Sequence, residues 1–371
     1  MDARSEESQR GGAPPSGDQV GRAQMHVDVV RHAVIGPPHH GVTRYGRGLL
    51  VAARTVEAAD AAGHRLRHVD LETASPGRAD LLHVPFTDRI FGATLDAAVD
   101  SVRHLLDREA PRSWVVNLHD LPQREEGADR YSRRAAAYAW LAARADVVVA
   151  NSQHEARGVH DLPGCADVNI RVIPLPLEPV AAPGTGRRAP DGEPLRGGDP
   201  PTPADIGLLG FVYPGKGYER LIDAAPVGTC VRAIGQAAEG HHDYLHDLME
   251  RARQRGVDFE VTGYVPEGML AAELHAVNVP VCPHRHVSAS GSLNTWIAHG
   301  RVPLVLESPY MIEIAHRWPG AVTVATAQDF RSRLLECLGD PRRTRALGAP
   351  PSWGWSEVAA AYSRVWAEEL S

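Results

Sequence analysis

GFVYPGKGYERLIDAA, residues 210–225, sets the only lysine of the chain, Lys216, between two glycines just ahead of a helical pattern. Every other cation among the 39 basic residues is arginine. Such a bias, with abundant Ala, Gly and Pro, is the mark of a high-GC coding preference, so the one exception invites a chemical reason. Lysine is a compact, rotatable point charge on a slim stem, which suits a single phosphate oxygen reached through a narrow glycine-lined gap. The bland alternative is a codon that escaped the bias. ADIGLLGFV (204–212) ahead of it is a strand-sized apolar run and YERLIDAA (218–225) has helical spacing, so Lys216 falls in a strand-to-helix turn.

The alternation continues outward from that turn. TCVRAIG, DFEVTGYV, VPVCP and VPLVLE read as strands, separated by the helices HDYLHDLMERARQRG, EGMLAAELHAV and SLNTWIAHG. Upstream, MHVDVVRHAVI reads as a strand, GPPHHGV as a turn, and TRYGRGLLVAARTVEAADAAG as an amphipathic helix. ADLLHVP (79–85), SWVVNLHD (113–120), ADVVVANS (145–152) and NIRVIPL (169–175) are further strands, and SQHEARGVHDL is a helix capped by Ser152. Between the two series, residues 179–204 carry Gly and Pro too densely for regular structure and read as a linker. The expected organisation is α/β: a disordered tail over 1–24, a Rossmann-like domain over 25–178, the linker, a second Rossmann-like domain over 205–352, and a C-terminal helix over 353–371 packing back across the junction. Two such halves imply a cleft between them, with ligands at the carboxyl ends of the strands.

Composition narrows the partners. At 371 residues the chain exceeds what one core usually serves. A net charge of −7 without a dense basic face argues against nucleic-acid binding. No apolar run approaches a bilayer span, and residues 1–24 lack the apolar centre of a signal peptide, so a cytoplasmic protein without a membrane span is expected. Cys165, Cys230, Cys282 and Cys337 follow no CxxC spacing, which suggests neither a disulfide framework nor a zinc site. Cys282, His284 and His286 could ligate a metal at a strand end, but partner ligands at suitable spacing are missing, so no metal is expected.

The second half resembles the retaining group of GT-B type glycosyltransferases known as family four. The resemblance rests on Gly210 with Lys216-Gly217 ahead of a helix ending DAA, on GYVP (263–266) after a strand, and on PHRHVSASGSLNTWIAHGRVPLV (283–305). In the first half, GPPHHGVTRYGRGLL (36–50) is similar to the family's opening glycine-rich loop, with Gly41 in that loop, and NLHD and ADVVVANS are similar to its strand-end histidine and strand-to-serine turn. The resemblance implies two Rossmann-like domains facing across a cleft. It also implies that Lys216 holds a donor diphosphate, that Gly263, Tyr264 and Val265 lie beside the nucleotide base, that the glycine-rich stretch closes over the diphosphate, and that His119 sits near the donor sugar.

The chemistry of such a reaction agrees. A leaving diphosphate gains charge in the transition state and needs a cation or a cluster of amides. The chain has no Asp-x-Asp pair to hold a divalent ion. Lys216 and the amides of Gly291, Ser292 and Leu293 at a helix N-terminus are the substitutes; the plain reading of SASGSLN is a serine-capped helix start. A neutral His119 could hydrogen-bond a sugar hydroxyl or the acceptor, and Asp120 could orient it or take the acceptor's proton; a helix-capping Asp beside a solvent-facing His is the alternative. Gly41, Arg44 and Tyr45, with His39 and His40, lie where the first loop would meet acceptor or phosphates.

Two departures from the family stand out. The spaced glutamates that many members carry near donor sugar and ribose have no counterpart in HRHVSASGSLNTWIAHG, where Asn294 or Thr295 takes the second seat; Asn294 could still hydrogen-bond a ribose hydroxyl. The arginine that many members place before the lysine is absent near Phe211 and Val212. The expectation is a metal-independent enzyme moving a sugar from a UDP- or GDP-sugar to a small polar acceptor with retention, without a cofactor, in a pathway such as natural-product biosynthesis. A sugar-nucleotide epimerase or phosphorylase on the same fold, or a non-catalytic nucleotide-sugar binding protein, are the alternatives.

Overall fold

The computed structural model describes residues 27–38, 40–56, 65–72, 78–178, 201–284 and 287–371. The tail expected over 1–24, residues 179–200 of the expected linker, His39 and His286 lie outside the described residues. Ala204, read as the end of the linker, already opens a strand.

The first half is a parallel sheet of β1 (Val27–His32), β2 (Arg65–Asp70), β3 (Leu81–Phe86), β4 (Ser113–Leu118), β5 (Val147–Ala150) and β6 (Ile170–Val172). Their order is β2-β1-β3-β4-β5-β6. The helices are α1 (Gly41–Val56), α2 (Asp88–Phe91), α3 (Leu95–Glu109), α4 (Ala128–Ala142) and α5 (Gln153–His160). The strands β3, β4 and β5 are buried at every position because helices cover both faces, which is why they read as unbroken apolar runs rather than alternating ones. On one face Leu82, Val84, Phe86, Val116 and Leu118 pack under α3 and α4. On the other, Val30, Leu81, Val115 and Val149 pack under α1 and the last helix.

The second half repeats the architecture with β7 (Ala204–Leu209), β8 (Cys230–Ile234), β9 (Asp258–Val261), β10 (Val277–Cys282), β11 (Leu304–Leu306) and β12 (Thr323–Ala325), in the order β12-β11-β10-β7-β8-β9, again parallel. Its helices are α6 (Tyr218–Ala224), α7 (His242–Arg255), α8 (Glu267–Ala276), α9 (Gly291–Ala298), α10 (Pro309–Arg317) and α11 (Phe330–Gly339). The helix α12 (Trp355–Leu370) returns to the first half and lies along α1. Gly48 on α1 permits this approach: a Cβ there would stand 2.4 Å from the Trp355 ring. The outgoing and returning segments are bonded to each other, Leu177 N–H to Trp353 O at 2.7 Å and Trp353 Nε1–H to Pro174 O at 3.1 Å.

Period-two alternation puts His32, His68 and His83 on the face beneath α12. Their rings form a chain, His68 Nδ1 to His32 Nε2 at 3.0 Å and His32 Nδ1 to His83 Nδ1 at 3.2 Å, packed against Trp366. Burial, followed by the charge of Arg54, pushes His68 down to about 4. Burial and the neighbouring histidines push His83 down to about 3, and His32 goes well below its ordinary range for the same reasons.

Candidate active site

In each half the chain builds outward from one central strand and then returns to its other side. Successive connections at β1/β3 and at β7/β10 therefore diverge above the carboxyl ends of the strands, leaving a crevice. The segments 210–217, 283–284 and 287–290 occupy the second crevice. Gly210, Gly215 and Gly217 all have positive φ, at +105°, +91° and +93°. A Cβ at Gly210 would stand 2.5 Å from Lys216 Nζ, and one at Gly217 would stand 2.5 Å from Pro283 O. The glycines are thus what lets the loop fold around its lysine.

Lys216 is buried, with 4% of its surface exposed, and its Nζ donates to Leu209 O at 2.6 Å. Burial pushes the ammonium down to about 8. Its neighbours are neutral: burial raises the Cys282 thiol to about 12, and burial with the Lys216 charge lowers the His284 imidazole to about 3. The Tyr213 ring centroid lies 5.7 Å from Nζ. Among the described residues no carboxylate pairs with this cation. A buried ammonium without a charged partner is costly unless an anion joins it.

The N-terminus of α9 faces the same crevice. Ser290 Oγ caps it by accepting from Leu293 N–H at 3.2 Å, so of the three amides expected here that of Leu293 is spent, while Gly291 and Ser292 open the helix above it. Asn294, expected to reach a ribose, is buried and turns its amide the other way, donating to Leu175 O at 3.1 Å and Pro176 O at 3.2 Å. It braces the outgoing segment. Gly263, with φ +73°, makes the turn after β9; Tyr264 beyond it is 75% exposed and Val265 half-buried.

The first crevice holds His119 and Asp120. His119 N–H donates to Phe86 O at 2.8 Å, which seats the residue just past β4. Its ring is buried edge-on to Tyr45, with centroids 5.1 Å apart, so the solvent-facing alternative does not apply. Asn151 Nδ2 lies 3.4 Å from His119 Nδ1. With that amide nitrogen as donor, Nδ1 accepts and the ring proton sits on Nε2, a buried atom with no partner among the described residues. Burial pushes the imidazole down to about 4 against the opposing pull of Asp120, so the ring is neutral near pH 7. Asp120 is exposed and has φ +52°, a left-handed conformation uncommon for a residue with a side chain. Thr87 Oγ1 donates to its Oδ2 at 3.1 Å and Arg134 Nη2 to its backbone oxygen at 2.5 Å. Across the cleft, Tyr213 has its phenol raised by burial and then by the Asp120 charge.

The opening loop is arranged differently from expectation. Tyr45 is buried and its hydroxyl donates to Tyr362 at 3.0 Å, so it belongs to the packing of α1 on α12. Gly41 is exposed at the first turn of α1, where the His40 ring caps Val42 N–H at 3.2 Å. Arg44 reaches Glu267 of the second half at 3.8 Å across the cleft mouth.

Several residues of the site escaped the sequence reading. Arg134 and Tyr138, four apart on α4, hold the carbonyls of Asp120 and His119, but α4 was not recognised as an element. Glu155 follows Ser152 by three, the spacing of a capping box, a signal that was present and unused. Its Oε2 accepts from Asn151 N–H at 2.7 Å and its Oε1 from Ser288 Oγ at 2.8 Å, while Ser152 Oγ donates to Ser288 O at 2.8 Å. Burial raises this carboxyl to about 7, partly offset by those hydrogen bonds. Glu313 of α10 caps the same turn, taking Gln153 and His154 N–H at 2.9 and 3.1 Å.

Cys282 and His284, weighed as metal ligands, lie against Lys216, whose charge opposes a cation there. The one gathering of three ligand-type residues among the described residues is Cys230, Asp258 and Glu260, where Arg232 already holds Glu260 at 2.7 Å.

No family model matches the chain, and no curated protein matches it. Among solved structures, Anabaena HepE in complex with UDP and glucose is similar with TM-score 0.63 and 16% identity, covering 92% of this chain and 100% of that one. Sucrose-phosphate synthase from Thermosynechococcus elongatus gives TM-score 0.63 and 15% identity over 92% and 99%. AviGT4, a glycosyltransferase involved in avilamycin A biosynthesis, gives 0.52 and 12% over 92% and 98%. At these identities the likeness shows the fold: this chain has the GT-B architecture, two parallel-sheet halves facing across a cleft. No helix among the described residues is long and apolar enough to cross a membrane.

Proposed function

We propose that this chain is a glycosyltransferase that moves a sugar from a nucleoside-diphosphate sugar to a small polar acceptor, with retention and without a metal. The observation that carries the reading is the buried Lys216 ammonium opposite a neutral His119 whose Nε2 is buried, the ammonium without a carboxylate and the Nε2 without a partner among the described residues. In this reading Lys216 and the Gly291 and Ser292 amides take the diphosphate, the turn Gly263–Val265 lies beside the base, and His119 Nε2–H bonds a sugar hydroxyl. The bond from the anomeric carbon to the leaving phosphate oxygen breaks, a bond to the acceptor forms on the same face, and the acceptor's proton passes to the departing diphosphate or to Asp120. HepE was solved with UDP, with UDP-glucose, and with UDP and glucose, which favours UDP over GDP as the nucleotide. Natural-product assembly is the setting we propose, in keeping with the part of AviGT4 in avilamycin A biosynthesis.

The test is calorimetric titration with UDP, GDP, ADP and TDP in EDTA, on the native chain and on Lys216→Ala. Micromolar binding of one nucleotide, weakened at least tenfold (about 1.4 kcal/mol) in the variant, is the expected result. Binding of none of the four overturns the reading. Binding without turnover of any matching nucleotide sugar would leave a binding protein instead.

A further inference from the structure

His119 is joined to the opposite half by an unbroken path. Asn151 Nδ2 meets His119 Nδ1 at 3.4 Å, Asn151 N–H donates to Glu155 Oε2 at 2.7 Å, and Ser288 Oγ donates to Glu155 Oε1 at 2.8 Å. Ser288 lies two residues before Ser290, the cap of α9, so the path ends at the helix whose first amides face the second crevice. Asn151 and Glu155 are 3% and 2% exposed, so the bonds among His119, Asn151 and Glu155 are made away from water, while the bond from half-buried Ser288 ends on the buried Glu155 carboxyl, which loses a partner if Ser288 is removed. An ordinary capping glutamate needs none of this. It would be half-solvated and would bond only to its own helix, whereas Glu155 spends one oxygen on the residue beside His119 and the other on the facing half.

We propose that Asn151 and Glu155 are positioning residues: Asn151 fixes the His119 tautomer with its proton on Nε2, and Glu155 ties that turn to Ser288, setting the imidazole and the start of α9 in register. The role in transfer rests on the sugar-transfer reading above, while the tautomer assignment stands independently of it. Ring placement matters because a donor sugar held from one side at its diphosphate and from the other at a hydroxyl reacts only when both grips are in step.

The test has two readouts. The first is the 15N NMR signature of His119, identified by its loss in His119→Gln, in the full chain near pH 7.5. A single Nε2–H tautomer is expected in the native protein and in Glu155→Gln, which keeps an acceptor for Asn151 and a partner for Ser288. Mixed tautomers are expected in Asn151→Leu. The second is turnover of the matching nucleotide sugar: Ser288→Ala and Glu155→Leu should lower kcat at least about tenfold, with the Kd for the free nucleotide within about twofold of native, and Glu155→Gln should recover most of the rate. Ser288→Ala is the mildest of these variants, since it removes one hydroxyl and leaves Glu155 bonded to Asn151 N–H. The proposal is overturned if Asn151→Leu keeps the native tautomer, if Ser288→Ala turns over at the native rate, or if Glu155→Gln is as impaired as Glu155→Leu. Failure of the native chain to bind any nucleotide would end the sugar-transfer reading but leave the tautomer result to stand or fall alone.

Discussion

The two crevices are built from the same topology and opposite chemistry. Above β7 and β10, three glycines with left-handed backbone wrap a single buried cation whose described neighbours are all neutral. Above β1 and β3 the groups are imidazole, carboxylate and hydroxyl, braced from behind by Arg134, Tyr138, Asn151 and Glu155. One crevice leaves charge uncompensated and the other leaves hydrogen-bonding groups uncompensated. An anion and a set of hydroxyls are complementary to the pair, so a phosphorylated sugar satisfies both where a simple phosphate or a simple sugar satisfies one. The halves also differ in what their burial does to stability, and that difference can be measured.

The largest effect belongs to the first half. His32, His68 and His83 are neutral when folded, with pKa values pushed down, so the unfolded chain binds protons that the folded chain refuses. The stability they contribute is present above about 6.5 and is lost as pH falls from there through about 4 for His68 and about 3 for His83. Between these limits three such groups make the unfolding free energy fall by up to about 4 kcal/mol per pH unit. Glu155 acts oppositely: its carboxyl is raised to about 7, so its contribution is present in acid and is lost as pH rises from the ordinary carboxylate range. Urea unfolding from pH 7 to pH 4.5 should therefore show a steep acid limb, and His83→Phe, which keeps a ring against Tyr362 and Trp366, should flatten it by about one proton, or 1.4 kcal/mol per pH unit. Equal slopes in the two proteins would mean that the histidine chain is already protonated.

In the second crevice the buried Lys216 acts against stability. Holding Lys216 charged at neutral pH, with its pKa lowered from 10.5 to about 8, costs on the order of 3 kcal/mol. Lys216→Met, of similar length and without charge, should then raise the unfolding free energy at pH 7 by roughly 1–3 kcal/mol while weakening nucleotide binding. The sign fixes the pH window: the cost is complete below about 8 and is relieved as pH rises toward 10.5, so the advantage of the variant should shrink across that interval. A destabilised variant would show instead that the bond to Leu209 O outweighs the desolvation, and the contrast between the crevices would lose its electrostatic basis.

The legible parts of the chain were those where pattern and location coincide. Lys216 between glycines, the Ser152 cap and the strand runs of β3 to β5 are local signals that need no knowledge of what packs against them. β2 did not read as a strand because RLRHVD alternates basic and apolar residues on an edge, and α3 and α4 were not recognised. β12, α10 and α11 also went unrecognised; only β12, at three residues, is short enough for that to explain it. The site was harder for a different reason. Asn294, Tyr45 and Glu155 each have a plausible role at their position in the motif, and the role they take is set by a neighbour more than a hundred residues away: Leu175, Tyr362 and Ser288. Long-range partners of buried polar groups are a property of the assembled halves, and a motif of adjacent residues does not encode them.

The smallest effect concerns Arg44, which joins the two halves at the cleft mouth. Its guanidinium lies 3.8 Å from Glu267 with both side chains about two-thirds exposed, at 66% and 64%. An exposed pair at that separation contributes at most about 0.5 kcal/mol and is screened by salt, so Arg44→Ala should leave the urea midpoint almost unchanged. Its value as a test lies in binding. If the first crevice supplies only hydrogen-bonding groups, nucleotide affinity in Arg44→Ala should stay within about twofold of native, a difference of roughly 0.4 kcal/mol. A tenfold loss with unchanged stability would mean that Arg44 leaves Glu267 to meet the diphosphate, and the division of labour between a cationic second crevice and a first one that offers no cation would have to be redrawn with Arg44 on the phosphate side.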